Sequence, residues 1–275
     1  MNFSIEILDS VKQLNGQMQE NSNRLKAEAE EALKMSVLIS TLLSYIEKGW
    51  PMHFVNVADK EAKMLQKLRN DGVTQIQRLE EAYKLAKEES DRLMRRYPTV
   101  FDEACKAARI TLDTNSPHPK YGIRNGFFKV EINESTRVAK ISDLEGKLAE
   151  LPADVEAVVE KIRIEYTRVF GRGFHGPNFF KKIRAQYKKI IEREHLSDGA
   201  SVPIREITKN LKKKDKEFRM DEFVADLSVL AEKGPHEVDG KVIDLQQTKD
   251  TRQGILLAGA ASRGYIGFII FKETT

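Results

Sequence analysis

Residues 202–233 read VPIREITKNLKKKDKEFRMDEFVADLSVLAEK, and the fold turns on how this run is divided. Pro203 opens a first helix with Ile204, Ile207 and Leu211 on one face. The charged run from Lys212, Lys213 and Lys214 to Glu217 reads as a turn. A second helix carries Met220, Phe223, Val224, Leu227 and Leu230 at amphipathic spacing. Gly234-Pro235 stops it. The period then shortens towards two: Val242, Ile243 and Leu245, then Ile255, Leu256 and Leu257, then Tyr265 to Phe271. These read as three short strands. The last is very apolar for a chain end, so it is expected to be central in its sheet or docked on another subunit.

Working outward, a helix over 178–195 buries Phe179, Phe180, Ile183, Tyr187, Ile190 and Ile191 and exposes Lys181, Lys182, Arg184, Lys188 and Lys189. A glycine loop at 171–176 separates it from a helix that begins at Pro152-Ala153-Asp154 and carries Val155, Val158, Val159, Ile162, Tyr166 and Val169 on one side. Before that, Asn125-Gly126 is a hairpin signal. Phe127, Val130 and Ile132 alternate with charged residues, and Val138, Ala139 and Ile141 lie on a return strand.

The N-terminal part reads as helices throughout. Residues 3–20 form a short one, weakened by Gly16 and the polar run 17–23. From Asn21 a stronger helix starts, with Leu25, Ala29, Ala32, Ser36, Ile39, Leu43 and Ile46 on a heptad seam. Met35–Ile46 is apolar nearly all round and is expected to be buried within the chain or against a partner. Gly49-Trp50-Pro51 ends it. A second long helix spans about 58–97, broken at Asn70-Asp71-Gly72, with Ile76, Leu79, Tyr83 and Leu93 on its seam. The pair reads as an antiparallel coiled-coil hairpin, with a small helical bundle as the alternative. The expected partner-binding residues are Leu38, Leu42, Ile46, Ile76, Leu79, Tyr83 and Leu93.

The expected organisation is mainly α with small antiparallel β: a helical domain at 1–112, a turn-rich connector with a β-hairpin at 113–152, and a third part at 153–275. With 40% hydrophobic and 32% charged residues, the composition is that of a globular protein with long exposed helices. The longest apolar-rich run, Met35–Ile46, is short of the roughly 20 residues a membrane span needs. No signal peptide is read at the N-terminus. Cys105 is the one cysteine, which points to a reducing, cytoplasmic compartment.

Charge is unevenly placed. Residues 171–219 hold fourteen Lys and Arg against six Asp and Glu, a net of +8 in a chain whose total is +4. Such a segment attracts phosphate or an acidic partner. The candidate nucleic-acid contacts are Lys181, Lys182, Lys188, Lys189, Lys212, Lys213 and Lys214, with Lys249, Arg252 and Arg263 on later loops. The helix at 220–233, however, carries Asp221, Glu222, Asp226 and Glu232 at positions read as outward-facing. A carboxylate-rich face is repelled by a groove lined with phosphates, so base reading by this helix is disfavoured.

No catalytic constellation stands out. Gly171 to Gly176 has the letters GxGxxG, but a helix precedes it where a nucleotide site needs a strand. The five histidines are scattered, none at ligand spacing with Cys105, so neither metal nor cofactor is expected. Cys105 reads as core. The fragment Glu145-Gly146-Lys147, with Asp113 or Asp143 upstream, resembles the carboxylate-lysine set of a metal-dependent nuclease but sits in a connector.

The order helix, two-helix unit, then strands over about 177–272 resembles a winged helix-turn-helix module, which implies a C-terminal winged helix. A long helical hairpin joined to a winged helix is also similar in architecture to accessory, kleisin-like middle subunits of bacterial SMC-like ABC ATPase defence complexes. That resemblance implies a non-enzymatic adaptor whose partners are a larger ATPase or a second copy of itself, with non-specific contact to DNA. The competing expectation is a DNA-binding winged-helix regulator.

Overall fold

A computed structural model describes residues 4–259 and 264–274. The chain divides into two compact units, Met1–Leu93 and Met94–Thr275. It is mainly helical with two small antiparallel sheets.

The first unit opens with α1 (Ile5–Lys48), whose N-terminus is capped by the Ser4 hydroxyl accepting from the Ile7 amide. The break expected between Gly16 and Asn23 is absent. An exposed helical glycine costs only about 1 kcal/mol relative to alanine, too little to end a helix of this length. Gly49, at φ 66°, closes α1 in the left-handed conformation that favours glycine. Next come α2 (Pro51–Lys60), α3 (Ala62–Asn70) and α4 (Ile76–Arg95). The expected second long helix is therefore three pieces, with the Asn70-Asp71-Gly72 break where the sequence puts it.

Helices α2 and α3 run back along α1, and Lys67 reaches Glu31 at 2.5 Å. Helix α4 then turns beside them, with Arg69 paired to Glu80 and the Tyr83 hydroxyl donating to Asp59. Leu38, Leu42, Phe54 and Ala58 form the core, with Tyr45, Leu65, Leu79, Tyr83 and Ala86 around them. This is a small helical bundle, the alternative to the coiled-coil hairpin. Only the C-terminal third of α1 has core neighbours in it.

The second unit begins with α5 (Tyr97–Ala107), whose Tyr97, Phe101 and Cys105 are buried, with Phe101 against Tyr121. A four-stranded meander follows: β1 (Lys120–Ile123), β2 (Phe128–Asn133), β3 (Val138–Ser142) and β4 (Lys147–Pro152), in that spatial order. The expected hairpin is its middle. The Asn125-Gly126 turn joins β1 to β2, with positive φ at Arg124, Asn125 and Gly126. The run Leu148 to Pro152, read as connector, is the edge strand β4; it lacks the alternation that marks β2 as half-buried.

Next come α6 (Val155–Phe170), α7 (Gly176–Arg193), β5 (Val202–Pro203), α8 (Ile204–Lys214) and α9 (Met220–Lys233). The chain closes with β6 (Glu237–Val238), β7 (Lys241–Thr248), β8 (Ile255–Leu256) and β9 (Tyr265–Glu273). The second sheet has the order β5-β9-β7-β6, with β8 also on β9. The apolar last strand is thus central: Ile269 pairs with Val202 on one side and Leu245 on the other. Phe180 and Tyr187 of α7 pack edge-on against Phe271. No helix among the described residues is long and apolar enough to cross a membrane.

Candidate interaction surfaces

Every residue from 4 to 30 is exposed. Because α1 is unbroken, the heptad seam that starts at Leu25 in the sequence reading continues back to Leu8. It runs Leu8, Val11, Asn15, Met18, Ser22, Leu25, Ala29, Ala32, Ser36, Ile39, Leu43, Ile46, in steps of three and four, and none of the twelve is charged. Its seven large apolar members are 39–59% exposed. Leu38, on another side of the same helix, and Leu42, which borders the seam, are in the bundle core. Helices in water draw most of their stability from packing an apolar face, and this stretch has none packed.

The expected partner-binding residues divide accordingly. Leu38, Leu42 and Ile76 are buried, and Leu79 and Tyr83 lie against the bundle core. Leu93 is half-buried. The first five are therefore not a free surface, because the bundle itself covers them. Ile46 is exposed and belongs to the seam. The residues missed were those N-terminal to Leu25. Their spacing was legible, but the expected break at Gly16 hid their continuity with the rest.

Helix α9 shows the reverse. Three of the carboxylates read as outward-facing, Asp221, Glu222 and Asp226, are turned into the protein, whereas Glu232 is exposed as expected. Asp221 is 5% exposed and pairs with Arg168 at the end of α6, which also reaches Glu222 and Glu165. Arg172, in the glycine loop, grips Asp226 through two nitrogens at 2.8 and 3.0 Å and donates to the Glu222 carbonyl. Burial would raise the Asp221 carboxyl, but the Arg168 hydrogen bond and charge outweigh it and hold the group below the usual range. Glu165 is lowered too, burial being outweighed by hydrogen bonds from Lys161 and then Arg168. Asp226 ends above its usual range, because burial there outweighs Arg172. Ser228 is also buried and accepts from the Ala258 amide. The outward-facing assignment is thus corrected for Asp221, Glu222 and Asp226, whose carboxylates are engaged by Arg168 of α6 and Arg172 of the loop after it.

The basic residues remain largely at the surface. Lys181, Lys182, Lys188, Lys189, Lys212, Lys213, Lys214, Lys249 and Arg252 are all exposed. Lys181 pairs with Asp239 at 3.0 Å, and Lys182 lies 3.8 Å from Asp215 just beyond α8. Lys249 and Arg252 sit on the long loop after β7, folded by Asp250, which accepts from the Arg252 and Gln253 amides. Arg184, expected outside, is buried over Tyr187 and Phe271 and donates to Asp198. Arg263 lies outside the described residues.

The remaining chemical candidates are structural. Glu145 is held by Arg205 at 2.8 Å. Asp143 accepts from the Glu145 and Gly146 amides, and Asp113 from the Asn125 and Gly126 amides. Asp143 and Asp113 therefore each organise a turn, and no group of His, Cys, Asp and Glu among the described residues is placed to hold a metal ion. Cys105 is fully buried, and burial pushes its thiol up to about 12, which leaves it protonated and inert. The glycine loop is not a slack joint: Arg172 ties it to α9, and a Cβ on Gly176 would sit 2.3 Å from Pro235. Nothing in sequence pointed to Arg168 and Arg172, since their partners lie some fifty residues on.

No protein-family model, curated protein or solved structure matches this chain.

Proposed function

We propose that this protein is an assembly subunit without chemistry of its own, which joins a larger complex through α1. The observation that carries the reading is the bare helix: residues 4–30 are exposed to the last one, yet bear a regular, uncharged apolar seam. A helix of that kind is an unfilled half of a helix–helix contact.

The second unit is read as a winged-helix docking module. What supports this is the order α7-β5-α8-α9-β7-β9, with β5 and β7 on either side of β9. Its α9 is clasped by Arg168 and Arg172, which argues against a regulator that inserts this helix into a major groove. The exposed lysines of α7 and α8 leave room for sequence-independent contact with DNA backbone. A larger ATPase of the SMC-like class is the partner that the architectural likeness favours.

Amide hydrogen exchange on the full chain tests the reading. Residues 4–30 should exchange fast in dilute isolated protein and slowly once the complex has assembled. Fast exchange in both states would defeat it. DNA contact is checked separately by duplex binding across a salt series. The expected result is weak, sequence-independent affinity that falls steeply with salt and is lost when Lys212, Lys213 and Lys214 are changed to Glu.

A further inference from the structure

The assembly reading leaves open what lies against α1, and the seam itself answers. We propose that α1 pairs with α1 of a second copy, parallel and in register, as a two-stranded coiled coil. The inference rests on the assembly reading and names its partner.

Length and area come first. From Leu8 to Ile46 the seam is about 57 Å long at 1.5 Å per residue. Seven large apolar side chains about half exposed offer roughly 80 Å² each, hence roughly 1,100 Å² for a pair before any flanking residue is counted, which clears the threshold for a specific interface. Ile7, Leu14 and Leu33, which flank the seam and are themselves exposed, add to it.

Orientation follows from the polar positions. In a parallel, in-register pair each layer meets its twin, so Asn15 faces Asn15 and Ser22 faces Ser22, and the side chains satisfy one another across the axis. A full-length antiparallel overlap sets Asn15 against Ile39, which buries an amide without a partner. The flanking charges agree. The parallel arrangement brings Asn21 beside Lys26 and Glu28 beside Leu33, with no like-charged pair. The antiparallel overlap brings Lys26 beside Lys26. Of the bundle core residues, Leu38 is on another side of the helix and Leu42 borders the seam, while Ile39, Leu43 and Ile46 on the seam itself stay exposed, so the seam is open without unpacking the unit.

The experiment uses the full chain. Light scattering should give twice the 31.4 kDa chain mass, and Val11→Asp with Leu25→Asp, both exposed positions, should return a folded monomer with at least tenfold weaker association. Orientation is read by mild oxidation of Ser22→Cys, which should yield a covalent dimer, since the native Cys105 is buried. Efficient cross-linking only in a mixture of Asn15→Cys and Ile39→Cys chains would overturn the parallel arrangement. A wild-type monomer would overturn self-pairing outright. If that monomer's arm then becomes protected from exchange in host-cell extract, the assembly reading survives with a foreign partner; if it stays unprotected, both fall.

Discussion

Helix α1 leaves apolar side chains in solvent, whereas α9 takes carboxylates out of it. Each runs against the usual assignment of faces, and for opposite reasons. In α1 the apolar seam outnumbers the neighbours: α2, α3 and α4 together cover one side of its C-terminal third. In α9 the neighbours bring their own charge, because Arg168 and Arg172 arrive from α6 and the loop after it, pair with Asp221, Glu222 and Asp226, and more than offset desolvation at Asp221. The lesson is that a face is polar or apolar by composition, but inside or outside by what the rest of the chain places beside it.

The strongest way to break this contrast is to remove the guanidinium. Arg168→Ala leaves the buried Asp221 carboxylate with only Arg219, at 3.4 Å, as a charged partner among the described residues and should destabilise the second unit by about 3 kcal/mol, read by denaturant unfolding. Replacing Arg168 and Asp221 together with apolar residues should cost much less. If the single substitution is harmless, the carboxylates are held by something other than the arginines.

A comparable effect separates two faces of one helix. Leu42→Ala, in the bundle core, should cost the first unit about 2–4 kcal/mol. Leu25→Ala, on the exposed seam, should leave the unfolding of a dilute monomer nearly unchanged and weaken only association. Equal losses at the two positions would mean that the arm already packs against its own chain.

The smallest effect is in acid. Asp198 is drawn from 3.8 to about 2, first by the Arg184 hydrogen bond and then, against burial, by Lys241. Its folded value lies below its unfolded one, so its contribution is present above 3.8 and is lost as pH falls towards about 2. The carboxylate is 42% exposed, so screening reduces that contribution to roughly 1 kcal/mol. Glu165 and Asp221, also lowered, act in the same direction. Asp226, raised by burial, acts in the other, since protonation relieves it. Acid titration followed by near-ultraviolet signals from each unit should show the second loosening before the first, whose Lys67–Glu31 pair is well exposed.

Much of the secondary structure was legible in sequence. The Asn125-Gly126 turn and the break at Asn70-Asp71-Gly72 rest on local chemistry and occur where that chemistry puts them, and the 202–233 run divides into two helices as expected, except that Lys212, Lys213 and Lys214, read as turn, are the last residues of α8. The edge strand β4 was not legible, because its side chains do not alternate and its pairing with β3 supplies the order. The continuity of α1 was misjudged for a related reason: one glycine and a polar run weaken a helix but do not end it.

What the sequence determined by itself is the periodic pattern: an uncharged seam along α1, carboxylates on α9, an apolar final strand. These follow from residue type and spacing alone. Only tertiary structure decided that Leu42 faces inward while Leu25 does not, that β9 is central, and that Arg168 and Arg172 close over the acids of α9. Those outcomes depend on residues some twenty to seventy positions apart meeting in space, and no local rule of spacing carries that information.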